Sequence, residues 1–203
     1  MQSRTRSIVL CGLSIAFLSV GAAIILPLGP IPFTLQTLML ILISLILTPK
    51  EAIVAVGGYL LLGAIGLPIF SGLTGGFGVL LGPTGGFLIG FFVAVLLTSL
   101  LRLAFEKKIF SLRRFLVLDV FSILIIILVY YSLGLLWFMY LTGSTFITAL
   151  TLCVIPFIVP DIIKAIAAFT CAQPIRIALG RAAWREKTGE KASHKASHTL
   201  SSR

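Results

Sequence analysis

Long apolar runs alternate with short breaks of proline, glycine or charge, and this alternation predicts six membrane-spanning helices. The first span covers 7–26 and stops at Pro27-Leu28-Gly29-Pro30-Ile31-Pro32. The second covers 34–48 and turns at Thr48-Pro49-Lys50-Glu51, and the third covers 52–66 and ends before Leu67-Pro68. After a glycine-rich stretch the fourth covers 84–104, and the fifth covers 115–140. Two prolines, Pro156 and Pro160, interrupt the last apolar run. Proline removes a backbone donor inside a helix but suits its first position, so the sixth span is placed from Pro160 to Leu179. Residues 144–155 then form a short segment near the outer surface.

Composition agrees with lipid as the solvent. The 203 residues are 59% hydrophobic and 11% charged, with mean hydropathy +1.16, whereas soluble domains keep about a quarter of their residues charged. The basic start, Arg4 and Arg6, leads into an apolar stretch long enough to span and without an obvious cleavage site. It reads as the first helix, not a signal peptide. The expectation is an all-α integral membrane domain over 1–184, followed by a basic, low-complexity cytoplasmic tail over 185–203.

A net charge of +10 is explained by topology rather than by nucleic-acid binding, for no basic stripe alternates with aromatics. With both termini cytoplasmic, 15 of the 16 Lys and Arg fall on the inside, and the outer loops 27–33, 67–83 and 141–145 carry no charge. The one exception is Lys164. Asp119, one turn into the fifth span, is expected to pair at the interface with nearby Arg113 and Arg114. Cys11, Cys153 and Cys171 are spaced for neither zinc nor a disulfide framework, and His194 and His198 in the tail lack supporting ligands, so no metal is expected.

Three features carry candidate chemistry. Asp161 and Lys164, three apart, project from one side of the sixth span, and such a pair within a membrane either pins helices or faces a polar ligand. Placement in the first turn would add the favourable end of the helix dipole to Asp161. The uncharged stretch 67–86 contains seven glycines in 20 residues and reads as an outer lid. Small-residue pairs, Gly12 with Ala16 and Gly85-Gly86 with Gly90, permit close helix approach. Neither a Walker A loop nor Gly-x-Ser-x-Gly occurs, which excludes self-sufficient P-loop ATP hydrolysis and leaves any intramembrane enzyme only the Asp161–Lys164 pair.

Several stretches together resemble the BioY family, the biotin-specific S component of energy-coupling factor (ECF) transporters. They are Ile25-Leu26-Pro27-Leu28-Gly29-Pro30-Ile31-Pro32-Phe33-Thr34-Leu35-Gln36-Thr37, Tyr59-Leu60-Leu61-Leu62-Gly63 with Gly66-Leu67-Pro68, and Gly75-Gly76-Phe77-Gly78-Val79-Leu80. Gly82-Pro83-Thr84-Gly85-Gly86-Phe87-Leu88-Ile89-Gly90-Phe91, Pro156-Phe157 and Asp161-Ile162-Ile163-Lys164 complete the set, in order over 8–180.

The resemblance implies a six-helix, S-component-like bundle that binds biotin from outside. It also implies a coupling subunit and a pair of ABC-type ATPases as partners, with no cofactor and no enzymatic turnover. It assigns substrate binding to Asp161 and Lys164, with Phe33, Gln36, Thr74, Phe77, Gly86 and Phe87 as further candidates, and partner docking to Gly12 and Ala16. Chemically, the ureido ring needs both an acceptor and a donor, and the carboxylate needs a donor. Lys164 serves either the ureido oxygen or the carboxylate. An S component for another vitamin, an intramembrane enzyme and a scaffold with a structural ion pair are the competing readings.

Overall fold

The computed structural model describes residues 2–26, 31–105 and 112–179. The tail over 185–203, with both histidines, lies outside them. The chain folds as α1 (Gln2–Ala23), β1 (Ile25–Leu26), β2 (Phe33–Thr34), α2 (Gln36–Ile46), α3 (Pro49–Ala64) and α4 (Phe77–Leu81). It continues as α5 (Gly85–Phe105), α6 (Leu112–Thr142), α7 (Phe146–Cys153) and α8 (Ile155–Ala178).

Among the described residues four helices are long and apolar enough to cross a membrane: Arg4–Ala23, Gly85–Phe105, Phe115–Thr142 and Ile155–Ala178. The expected second and third spans are shorter. At about 1.5 Å per residue, α2 reaches roughly 16 Å and α3 roughly 24 Å, against a hydrocarbon core of about 30 Å. The outer surface is oily, as a lipid-facing surface must be; Ile8, Ile65 and Ile147 are each more than 70% exposed. The molecule is a multi-pass membrane protein.

Three element boundaries differ from expectation for reasons that proline explains. The first and second spans do not reach 26 and 34. Leu26 precedes Pro27 and Ile31 precedes Pro32, positions pushed toward extended backbone, and Ile25–Leu26 pairs antiparallel with Phe33–Thr34 instead. The last helix begins at Ile155, not Pro160. Pro156 sits in the first turn, where its missing N–H has no helical partner to lose, and Pro160 forfeits only one further bond. Asp161 is therefore the seventh residue of α8, beyond the first turn where the dipole acts most strongly. The 144–155 segment forms α7, packed against α6 and α8, with Thr145 capping its start.

α5 and α6 pack most closely. A Cβ on Gly86 would lie 2.2 Å from Trp137 Cβ, and one on Gly90 would lie 2.9 Å from the Tyr130 backbone. Gly134 of α6 in turn leaves room for the Phe87 ring. These small residues bring the helices into contact through backbone rather than side chains. They also hold Tyr130 and Phe87 in place. α8 packs closely along α2 but meets α6 at few backbone positions, so long polar side chains bridge that seam.

Among the described residues, Arg6, Arg102 and Arg176 gather at one end. Arg6 donates to the Leu179 carbonyl, and Ser7 donates to Glu51 Oε1 at 2.7 Å. Glu51 also accepts from the Thr48 amide and hydroxyl, which caps α3. Asp119 is fully buried there and pairs with Arg102 and Arg176; the side chains of Arg113 and Arg114, its expected partners, lie outside the described residues. Arg176 places two nitrogens on Asp119 at 2.6 and 2.9 Å, while its Nε donates to the Leu45 carbonyl at 2.6 Å. Gln173 Nε2 donates to Asp119 Oδ2 at 3.2 Å. One carboxylate thus ties α5, α6, α8 and the end of α2.

Candidate functional site

Toward the other end of α8, Asp161 and Lys164 are both buried and form an ion pair of 2.8 Å. Desolvating two charges is offset only if their remaining hydrogen-bonding positions are filled. They are. Asp161 Oδ1 accepts from Lys164 Nζ and from the Thr37 hydroxyl at 3.2 Å, while Oδ2 accepts from Tyr131 Oη at 2.7 Å and from Tyr130 Oη. Lys164 Nζ also donates to Thr37 Oγ1 at 3.1 Å and stands 3.9 Å from the centre of the Phe33 ring, a cation–π contact.

These groups border a cavity of about 70 Å³ between α2, α5, α6 and α8. Its walls mix Thr34, Gln36, Ser71 and Thr84 with Phe87, Phe91 and Phe157. A mostly apolar wall with a few convergent polar groups suits a small organic ligand with one polar end. Pockets that enclose such ligands measure roughly 300–1,000 Å³, so side chains must move aside to admit one.

The candidates from the sequence divide clearly. Asp161, Lys164, Gln36 and Phe87 line the cavity, and Phe33 covers the lysine. Gln36 is fixed by donating to Tyr59 Oη at 2.7 Å, and Tyr59 donates on to the Ile69 carbonyl at 2.9 Å. Gly86 lies instead in the α5–α6 contact. Phe77 is 63% exposed, and Thr74 is exposed with its hydroxyl turned back onto the Ser71 carbonyl at 2.8 Å. Neither lines the cavity.

The stretch expected as a lid is anchored by Phe70, by the Gly76 amide donating to the Gly63 carbonyl at 2.7 Å and by Trp137 Nε1 donating to the Gly82 carbonyl at 2.9 Å. Phe70 is wholly buried, packs edge-on against Tyr59, and fills the space that glycine leaves at position 63. Leu73 and Gly72 take positive φ of 56° and 75°, closing the turn that joins Phe70 to Thr74. From this stretch Ser71 and Thr84 reach the cavity.

Thr37, Tyr130 and Tyr131 escaped the sequence reading. Their signal was local: Thr37 directly follows Gln36, and the Tyr130-Tyr131 pair interrupts an aliphatic run in a span. Gly12 and Ala16 lie on the exposed face of α1, and nothing stands within 4 Å of where a Gly12 Cβ would be. Among the described residues no group of His, Cys, Asp or Glu could hold a metal ion.

Fold and site together define a multi-pass membrane protein with a buried ion pair on the wall of a small, largely apolar cavity. A solved S component for biotin from an ECF-type ABC transporter superposes with a TM-score of 0.76, covering 86% of this chain and 93% of that one at 24% identity. The chain belongs to the BioY family, whose model matches residues 1–181. The probable biotin transporter BioY of Pyrococcus horikoshii is 38% identical over 173 residues, 85% of this chain and 98% of that protein. Biotin transporter BioY2 of Lactococcus lactis is 38% identical over 165 residues, 81% and 87% of the two chains. These relatives are transporters, and the enzyme reading is set aside.

Proposed function

We propose that this chain is the biotin-capturing membrane subunit of an ECF-type importer. The observation that carries this reading is the buried Asp161–Lys164 pair on the wall of a largely apolar cavity, in a chain whose relatives are named biotin transporters. A cyclic urea presents an N–H donor beside a carbonyl acceptor. Asp161 Oδ1 and Lys164 Nζ, 2.8 Å apart, offer the complementary acceptor and donor on one edge. Asp161 takes the ureido N–H, Lys164 serves the ureido oxygen, and Phe87, Phe91 and Phe157 face the sulfur ring and aliphatic chain. No cofactor takes part in capture.

The chain crosses the bilayer six times in this reading, with α2 and α3 completing two short crossings through their flanking segments. Uncharged loops at one end and gathered arginines at the other support cytoplasmic termini and an outward-facing site. The exposed, small-residue face of α1 at Gly12 and Ala16 is the docking face for the coupling subunit, through which a pair of ABC-type ATPases drives import. Membrane lipids cover the remaining apolar surface.

Equilibrium titration of the purified chain with biotin tests the capture role. Saturable binding that other vitamins do not displace is expected. Binding of another vitamin in preference to biotin would replace the ligand, and no binding of either would overturn the reading.

A further inference from the structure

We infer that Tyr131 is the displaceable donor of the site: it holds an acceptor position on Asp161 that the ligand must take, and it withdraws into the groove between α6 and α8. This rests on the proposed capture of biotin. An ionised carboxylate offers about four acceptor positions, and protein donors fill four on Asp161. A ligand N–H can bind there only if one of the four leaves.

Three of them are held. Lys164 carries the balancing charge and is further fixed over the Phe33 ring. Thr37 is buried on α2 and bonded to both members of the ion pair. Tyr130 is 3% exposed, with its ring against Phe87 and Phe91 and its backbone against Gly90. Each would have to break a packed or charged contact to move.

Tyr131 differs. It is only half-buried, and it lines both the ligand cavity and a second space on its other side. That space is a groove of about 640 Å³ between α6, α7 and α8, walled by aliphatic side chains including Leu128, Leu150, Val154 and Ile158, with Ser132 also on its wall. The sparse backbone contact between α6 and α8 leaves this groove open. Of the four donors, Tyr131 has free volume behind it, and an aromatic ring suits the aliphatic walls. Its departure also enlarges a cavity too small for the ligand.

The consequence is a competition. The Tyr131 hydroxyl stabilises Asp161 until the ligand arrives, and its bond is lost on binding. Removing that hydroxyl with Tyr131→Phe removes the competitor, so biotin binds about two- to tenfold more tightly, the worth of one net hydrogen bond. Tyr130→Phe, at the donor that stays, weakens binding instead. A wall residue with a merely supporting role would not strengthen binding when truncated.

The experiment is biotin titration of the wild-type chain and both variants in one detergent, with 19F NMR of 3-fluorotyrosine placed at 131 or at 130. The expected result is tighter binding by Tyr131→Phe, weaker binding by Tyr130→Phe, and a larger biotin-dependent shift at 131 than at 130. Wild-type binding with Tyr131→Phe unchanged or weaker, or with a resonance at 131 that biotin leaves in place, overturns the displaceable donor and spares the capture reading. Failure of the wild type to bind biotin overturns both.

Discussion

Two buried carboxylates anchor the same helices in different ways. Asp119 and Asp161 both receive bonds that join α2, α6 and α8 around one acid, directly or through Arg176, and both are paired with cations inside the bundle. Around Asp119 the donors are guanidinium and amide groups, whose planar geometry matches a carboxylate at fixed positions. Around Asp161 three of the four are hydroxyls, which rotate and can accept as well as donate, beside a single ammonium. The second arrangement alone borders the cavity with the Phe87, Phe91 and Phe157 walls. A membrane protein can thus use one device, a buried acid with its cations, both to hold helices and to receive a ligand. Exchangeable donors and adjacent space distinguish the two uses.

The comparison breaks most visibly at Asp119. Asp119→Ala removes the acid shared by Arg102 and Arg176, and loss of one partner from a buried ion pair costs about 3–5 kcal/mol. The variant is expected to unfold at markedly lower temperature in detergent while its folded fraction binds biotin within about threefold of wild type. Strong loss of affinity at full stability would show that the two clusters do not divide their roles.

A smaller effect sharpens the boundary of the site. Thr74→Val and Phe77→Ala alter exposed residues away from the cavity and are each expected to change biotin affinity by less than about threefold, within the range of surface substitutions. A tenfold loss in either titration would mean that the 67–86 stretch folds onto the ligand further than its anchors imply.

Much of this division was legible in the sequence, but unevenly. Lys164 stood out because every other base belonged to the inner surface, and the three-residue spacing put Asp161 beside it. Asp119 reads in the sequence as an interfacial partner of nearby bases, whereas the structure buries it fully with Arg102 and Arg176. Arg102 and Arg176 come from other helices, and no local spacing announces a contact across 57 residues. The same limit hid Thr37, Tyr130 and Tyr131, each at least 30 residues from Asp161 in sequence.

The sequence places the start of the last helix at Pro160, whereas the helix begins five residues earlier at Ile155, since a first turn tolerates Pro156 and one further proline costs a single bond. The glycines of α5 were read correctly as sites of close approach, but their partner helix was not predicted. Gly12, with the same spacing pattern, faces outward. Periodicity marks a small face without saying what covers it.

The central claim is that Asp161 and Lys164 form the ligand-recognising pair. Biotin titration of Asp161→Asn and Lys164→Ala beside wild type, with thermal unfolding of each, tests it most directly. The account predicts that both variants remain folded and lose at least about thirtyfold in affinity, in line with the 2–5 kcal/mol that truncating one partner of a buried, hydrogen-bonded charge pair costs. Wild-type affinity in both folded variants would contradict it.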